Sequence, residues 1–495
     1  MAQKKQNTDA GLRAYLERVR PADWINPTPK GLYDLVVIGA GPGGLAAAEA
    51  AASWGFAVAL IEKNRLGGNS LNVGSIPSKA LIRSGSLTKA NHKTREFDAS
   101  TVDESPVTFA LVMARMHEIR TRLAGYHSVR RLVDKKIDVF FGDATFADRR
   151  TVLVGSATIA FTKAIIATGS RHRPSDIPGL DQTGFLTSST IFDLTKLPRR
   201  LAVIGGGPLG CELAQAFCRL GAHVTIVQNE AKFLPREERD AAEILSRALS
   251  RDGVETRLNT VVTGAALENG AKVIQLVSDD VTSVITVDEV LLSIGRIPNV
   301  DDLCLEAAGI AHNADDGLKV DDFLRTSNRH VFAAGDVCMT HPFTNVAQAT
   351  GRLAAANALT SRRGRQSSLI IPWCTFCDPE IAHIGMQVWQ AHERDIPVKS
   401  FTIMMQDVDR AITDDQDEGF VKLHVRDGTD EILGATIVAA RASEMINEIS
   451  ALMSARVGMR KLAGILHVYP AQSDAIRLAA MEFVRADGGS AMARG

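Results

Sequence analysis

One long segment occurs twice in this chain. "LVVIGAGPGGLAAAEAAASWGFAVALIE", from Leu35, and "LAVIGGGPLGCELAQAFCRLGAHVTIVQ", from Leu201, align so that Gly39, Gly41, Gly44 and Gly55 fall on Gly205, Gly207, Gly210 and Gly221 at one constant offset. Each copy reads as an apolar strand, a GxGxxG turn, an alanine-rich helix and a second strand, the βαβ unit that binds dinucleotides. The first glycine permits the tight turn, the second lets the backbone approach a pyrophosphate, and the third lets helix pack close to strand. The pyrophosphate then rests on free amides at the helix N-terminus, where the dipole favours negative charge. A lone GxGxxG is equally consistent with a tight turn and nothing more. Two in register, each in full βαβ context, lead us to expect two bound dinucleotides.

The copies differ where the second strand ends. Glu62 closes the first, as expected of a carboxylate that holds a ribose diol, whereas Gln228 occupies the matching place in the second. A neutral amide bonds a ribose hydroxyl without repelling a 2′-phosphate, and Lys232 and Arg236 follow nearby. This leans toward NADPH and leaves NADH open; for Lys232 and Arg236 the alternative is that they are plain surface charges.

At 495 residues the chain is too long for one hydrophobic core, so several lobes are expected. Its hydrophobic fraction of 45% is ordinary for a soluble protein, and no stretch approaches the roughly 18 consecutive apolar residues of a membrane span. With 56 basic and 57 acidic residues, no overall field favours nucleic acid or an anionic membrane. Partners are then expected to be small molecules or a second copy. The opening "MAQKKQNTDAGLRAYLERVRP" has no apolar signal core, which makes the cytoplasm the default. Within it Leu12, Tyr15, Leu16 and Val19 have helical spacing and suggest an arm, over residues 1–30, lying on the body.

Six cysteines in so long a chain do not make a disulfide framework, in keeping with a reducing compartment. Cys374 and Cys377 form a CxxC in "IPWCTFCDPE", but Trp373, Thr375 and Phe376 around them read as a strand. No second CxxC or His pair completes a zinc site, so no metal is expected and these thiols read as buried and inert. Between the repeats, Ser105 and Pro106 read as the cap and first-turn proline of a core-facing helix carrying Phe109, Val112, Met113, Met116, Ile119 and Leu123. Farther on, "GFVKLHV" and "ILGATIVAA" read as strands and Ser443 precedes a helical pattern from Glu444, so an α+β lobe is expected from about residue 368.

Taken in order, "GAGPGG", "GGNSLNVGSIPSK", "ATGS", "GGGPLGCELA", "SIGRIPN", "FAAGDV" and "TFCDPEIAHIG" resemble the FAD-dependent pyridine nucleotide-disulfide oxidoreductases, from about Tyr33 onward. Mercuric-reductase-like members are the most similar in "WINPTPKGLYDLVVIGAG" and "FLPREERDAAEIL", although a separate N-terminal metal-binding domain is not expected. The resemblance implies an α/β fold: an FAD-binding domain over 31–190 and 325–367, an NAD(P)-binding domain over 191–324, and a C-terminal α+β dimerisation domain over 368–495. It implies FAD on the first repeat, with Gly39, Gly41, Gly44, Gly67 and Gly68 around it, Glu62 at its ribose, and Asp336, after Gly335, at its ribityl chain. Lys79 matches the lysine near flavin N5, paired with a glutamate that matches Glu212. A cation there stabilises the anionic reduced flavin and a carboxylate orients it; a surface lysine at a helix start is the alternative. Gly205, Gly207, Gly210, Gln228, Gly295 and Arg296 would belong to the NAD(P)H site. The resemblance further implies a homodimer, with the Tyr469 segment reaching the partner's flavin.

Two places depart from the family. Its motif is close to GGxCxNxGCxPSK, and its two redox cysteines would fall on Ser70 and Ser75. Serine hydroxyls stay protonated near neutral pH and cannot store two electrons as an S–S bond does. In "HVYPAQSDA", Tyr469 stands where many members have the histidine that serves the thiol; Asp474 stands where its glutamate would be, and His467 lies two residues early. The dithiol apparatus is thereby removed, while both nucleotide sites, Lys79, Glu212 and Asp336 are retained. The expectation is an NAD(P)H oxidoreductase whose flavin passes electrons directly to a quinone-like molecule, a second nicotinamide nucleotide or dioxygen. Ser70 and Ser75 would line the flavin face or serve only as packing residues. Alternatives are a mercuric or disulfide reductase whose cysteine pair has been substituted, and a catalytically silent flavoprotein dimer.

Overall fold

The computed structural model describes residues 2–97 and 108–492. The Ser105–Pro106 cap lies outside the described residues. An N-terminal helix, α1 (Ala2–Val19), precedes the first repeat, which comprises β1 (Tyr33–Ile38), α2 (Pro42–Ser53) and β2 (Val58–Glu62). A short helix α3 (Gly68–Asn72) and the long helix α4 (Ser75–Phe97) follow, then α5 (Phe109–Ala124) and the strands β3 (Ile137–Phe141), β4 (Ala144–Phe146), β5 (Thr151–Val154) and β6 (Ala157–Ile166). The strands order as β3-β2-β1-β6-β5-β4, with Val331–Ala333 also pairing with β6. Every residue of β2 is buried, and β1 is buried except Asp34, as befits parallel strands covered on both faces. Strand β6 serves two ribbons. Its first half pairs antiparallel with β5, and its second half runs parallel to β1 with Ile38 opposite Ile166.

A two-stranded ribbon, three residues on each side, pairs β7 (Ser170–His172) antiparallel with Arg296–Pro298. The second repeat comprises β8 (Arg200–Ile204), the helix Pro208–Arg219 and β9 (His223–Val227) in a separate four-stranded sheet. The repeats agree down to their caps: Gly41 precedes its helix at φ −74° and Gly207 at φ −75°, each followed by a proline at the first helical position. The third glycine is needed for close approach in both copies. A Cβ on Gly44 would lie 1.7 Å from the Gly39 carbonyl oxygen, and one on Gly210 would lie 2.2 Å from that of Gly205.

The third lobe carries a five-stranded sheet with Phe420–Arg426 and Ile432–Ala439 as neighbours. Its helix begins at Ala442, ahead of Ser443, because the Glu380 carboxylate accepts the Ser443 amide at 2.8 Å and Arg441 takes the cap position. Helix Thr344–Leu359 packs on α2 with Gly351 against Gly43; a Cβ on Gly351 would come within 2.1 Å of the Gly43 carbonyl oxygen. That fit brings the start of the helix, Thr344, to the C-terminal end of β1, where ligands of open α/β sheets bind. None of the described helices is long and apolar enough to cross a membrane.

Candidate active site

At the C-terminal ends of β1 and β2 the first repeat opens into a cavity of about 850 Å³. Its wall includes Gly39, Gly41, Glu62, Gly68, Ser70, Ser75, Gly335, Asp336 and Thr344. Gly44 and Gly67 stand behind the wall, Gly44 against the Gly39 carbonyl and Gly67 donating its amide to Ala40 O at 2.8 Å. Glu62, 9% exposed, accepts the Ala40 amide on one carboxylate oxygen and the Asn64 amide on the other, both at 2.7 Å. Burial pushes its pKa up, opposed by these two amides. Each oxygen keeps a further lone pair for a ribose hydroxyl.

Asp336 lies deeper. It accepts the Ser170 hydroxyl at 2.6 Å, and that hydroxyl in turn accepts from Arg296 Nε at 2.8 Å. Burial raises the Asp336 pKa, while the Ser170 bond and the Arg296 charge pull it back. Arg296 lines this first-repeat cavity, whereas the sequence reading placed it with the second repeat. The cause is the β7 ribbon, which turns the guanidinium onto Ser170, also bonding its carbonyl at 2.6 Å. Gly295 stays in that connection, its carbonyl accepting the Arg173 amide.

Ser70, in α3, and Ser75, which opens α4, are linked through a residue that sequence reasoning missed. The Thr344 hydroxyl donates to Ser70 Oγ at 3.1 Å and lies 3.4 Å from Ser75 Oγ. Nothing local in "HPFTNVAQ" signals this contact, which the packing of two distant helices creates. One turn beyond Ser75, Lys79 Nζ lies 2.7 Å from Glu212 Oε2 on the second-repeat helix. Glu212 is almost fully buried, and its other oxygen accepts the Phe376 amide at 2.9 Å. The Lys79 ammonium also stands 4.2 Å from the Phe376 ring centroid, so a carboxylate and an aromatic face fix it together.

In the second repeat, Gln228 Oε1 accepts the Gly206 amide at 2.8 Å, in the same way that Glu62 accepts that of Ala40. Gly205 and Gly207 shape that turn, with Gly210 packed beneath it. Tyr469 is not brought to the cavity within its own chain: it is 73% exposed and donates to Asp409 Oδ2 at 2.6 Å. His467 pairs with Glu448 at 2.7 Å, and Asp474 with Arg477 at 2.7 Å. Cys374 packs against the core of the third lobe and Cys377 within that of the second repeat, and burial pushes both thiols well up. Among the described residues no group of His, Cys, Asp and Glu could hold a metal.

The glycine turn, the Glu62 and Asp336 carboxylates and the cavity that they line fit a dinucleotide laid across the strand ends. Comparison with known proteins agrees. The family model described as pyridine nucleotide-disulphide oxidoreductase matches residues 33–351, and the corresponding dimerisation domain matches 371–480. Mercuric reductase from Shigella flexneri is 33% identical over 465 residues, 92% of this chain and 81% of that protein. Dihydrolipoyl dehydrogenase from Geobacillus stearothermophilus is 34% identical over 443 residues, 88% of this chain and 93% of that one. Among solved structures, the Cu(II) complex of the HOCl-induced flavoprotein disulfide reductase RclA from Escherichia coli superposes with a TM-score of 0.81 at 28% identity, covering 91% of this chain and 99% of that one. The chain therefore belongs to the pyridine nucleotide-disulphide oxidoreductase family, flavin-dependent oxidoreductases that use FAD and NAD(P)H.

Proposed function

We propose that this enzyme carries electrons from NAD(P)H, by way of bound FAD, straight to a diffusible acceptor with no dithiol between, quinone-like molecules standing ahead of a second nicotinamide nucleotide or dioxygen. The observation that carries this reading is the cavity wall itself: no cysteine lines it, and at the two positions where the resemblance puts the dithiol stand Ser70 and Ser75, joined by the Thr344 hydroxyl. When bound, FAD supplies the two-electron chemistry, accepting hydride from the reduced nicotinamide and giving electrons up again. Gly39 and Gly41 would bring backbone to its pyrophosphate, Glu62 would hold a ribose and Asp336 its sugar-like chain. Lys79, held by Glu212, offers a fixed positive charge where negative charge develops. The three hydroxyls are rotors that can turn a donor onto an incoming carbonyl. They can orient an acceptor but cannot store electrons.

A homodimer completes this reading, supported by the dimerisation-domain match and by the exposed Leu466, Val468 and Tyr469 within it. The described cysteines are all free, in keeping with a cytoplasmic setting. The intact Lys79–Glu212 pair argues against a silent scaffold, which has no need of it.

A second reading, a mercuric or disulfide reductase with its cysteine pair substituted, is favoured by the identity with mercuric reductases. The two are separated by assaying the native protein and the Ser70→Cys/Ser75→Cys variant with NADPH and three acceptors: benzoquinone, Hg²⁺ and a small disulfide. We expect the native protein to turn over benzoquinone. A native protein inactive with all three, alongside a double variant that reduces Hg²⁺ or the disulfide, would establish the second reading instead.

A further inference from the structure

Helix α1 lies ahead of the region that the family model matches, yet it reaches the turn that carries Ser70. Tyr15, 1% exposed, donates its hydroxyl to Asn72 Oδ1. Asn72 closes α3: its Nδ2 donates to Gly68 O at 2.7 Å and to Leu66 O at 3.2 Å. Both bonds require the amide to present nitrogen to the turn and oxygen to α1, and the Tyr15 hydroxyl is the donor that meets that oxygen. Asn69 adds one bond outward, its Nδ2 donating to the Ser170 carbonyl at 2.7 Å, and Leu71 is buried beneath the turn. A helix of five residues is too short to persist by itself, and Gly67 and Gly68 enter it at φ +90° and +54°.

Arg120 of α5 completes the arrangement. Its guanidinium stands 4.6 Å from the Tyr15 ring centroid and donates to Asn72 O at 3.2 Å, with Nε buried and without a partner. Just beyond Tyr15 the arm is also stitched down by Arg18 to Thr121 O and by the Leu66 amide to Val19 O at 3.0 Å.

We propose that Tyr15 is a positioning residue: through Asn72 it fixes the turn that presents Ser70 and its Thr344 partner to the cavity, so the N-terminal arm sets the geometry of the acceptor face. This rests on the direct-transfer reading for its functional consequence, but not for its structural one.

The test is Tyr15→Phe, which keeps the ring beneath Arg120 and removes only the hydroxyl. Hydrogen exchange of the FAD-loaded protein, read on peptides spanning 66–75, should quicken about tenfold while peptides over 420–439 stay unchanged. Anaerobic flavin reduction by NADPH should keep its native rate, whereas benzoquinone turnover should fall several-fold. Native exchange over 66–75, or an equal rise in both regions, would overturn the proposal, as would an equal loss in both half-reactions. Tyr15→His, which retains a donor, should recover part of the protection; if Tyr15→Phe does not fold, a folded Tyr15→His with native-like exchange over 66–75 supports the proposal and one with none of that protection overturns it. If the native protein turns over no quinone, the direct-transfer reading fails while the exchange result still decides the role of Tyr15.

Discussion

Glu237 shows what a single buried residue does to the whole. It is 6% exposed, takes one hydrogen bond from the Trp373 indole at 3.2 Å, and has an oxygen with no partner. Burial raises its pKa from 4.5 to about 7; the Trp373 bond opposes it, the Glu238 charge adds a lesser push upward and Arg239 a lesser pull down. The folded state therefore holds a proton that the unfolded chain has released. That contribution is full below the unfolded pKa and is lost as pH rises through about 7, amounting to on the order of 3 kcal/mol. In urea unfolding at pH 5 and pH 8, Glu237→Gln should flatten the native decline by much of that amount; an unchanged decline would place its source elsewhere. Nothing in "FLPREERD" marks this residue, because its environment comes from a tryptophan far along the chain. The same holds for Thr344 and for the Tyr15–Asn72 bond. Ser70, Ser75, Lys79 and Glu212 were legible because their motifs are local; the contacts between them depend on packing that one sequence does not display.

At the scale of elements, the two βαβ units are written in the chain almost completely. Glycines set by backbone clashes, apolar strands and a proline at each helix start act over a few residues, so their pattern survives without tertiary information. Gly44 is the sharpest case. Gly44→Ala would drive Cβ into the Gly39 carbonyl, and overpacking of this kind costs about 1–3 kcal/mol, roughly tenfold to a hundredfold in FAD affinity if the turn shifts. Flavin absorbance per mole of purified protein should drop accordingly, while Gly31→Ala, with open space around it, should retain the cofactor. Full flavin content in Gly44→Ala would mean that the turn does not form the cradle. Less legible was the β7 ribbon, three residues long on each side, which carries Arg296 across to the first-repeat cavity. So short a pairing has no periodicity to read.

For the whole molecule, the described fold leaves a run of apolar side chains on the third lobe, with Leu466 97% and Val468 81% exposed. Apolar groups displayed together in a segment matched by a dimerisation domain are explained by a second copy covering them. Leu466→Glu would place a charge in that contact, so light scattering after gel filtration should report monomer where the native protein reports dimer. A native monomer with full activity would refute a shared site. Whether electrons leave this enzyme without passing through a dithiol can be read from anaerobic titration of the flavin spectrum with NADPH and, separately, NADH. We expect bleaching at one equivalent of the preferred donor, with NADPH ahead of NADH, no long-wavelength thiolate-to-flavin band, and recovery of the oxidised spectrum on adding benzoquinone. A flavin that stays oxidised with both donors, or one that bleaches and is not reoxidised by the quinone, would contradict direct transfer.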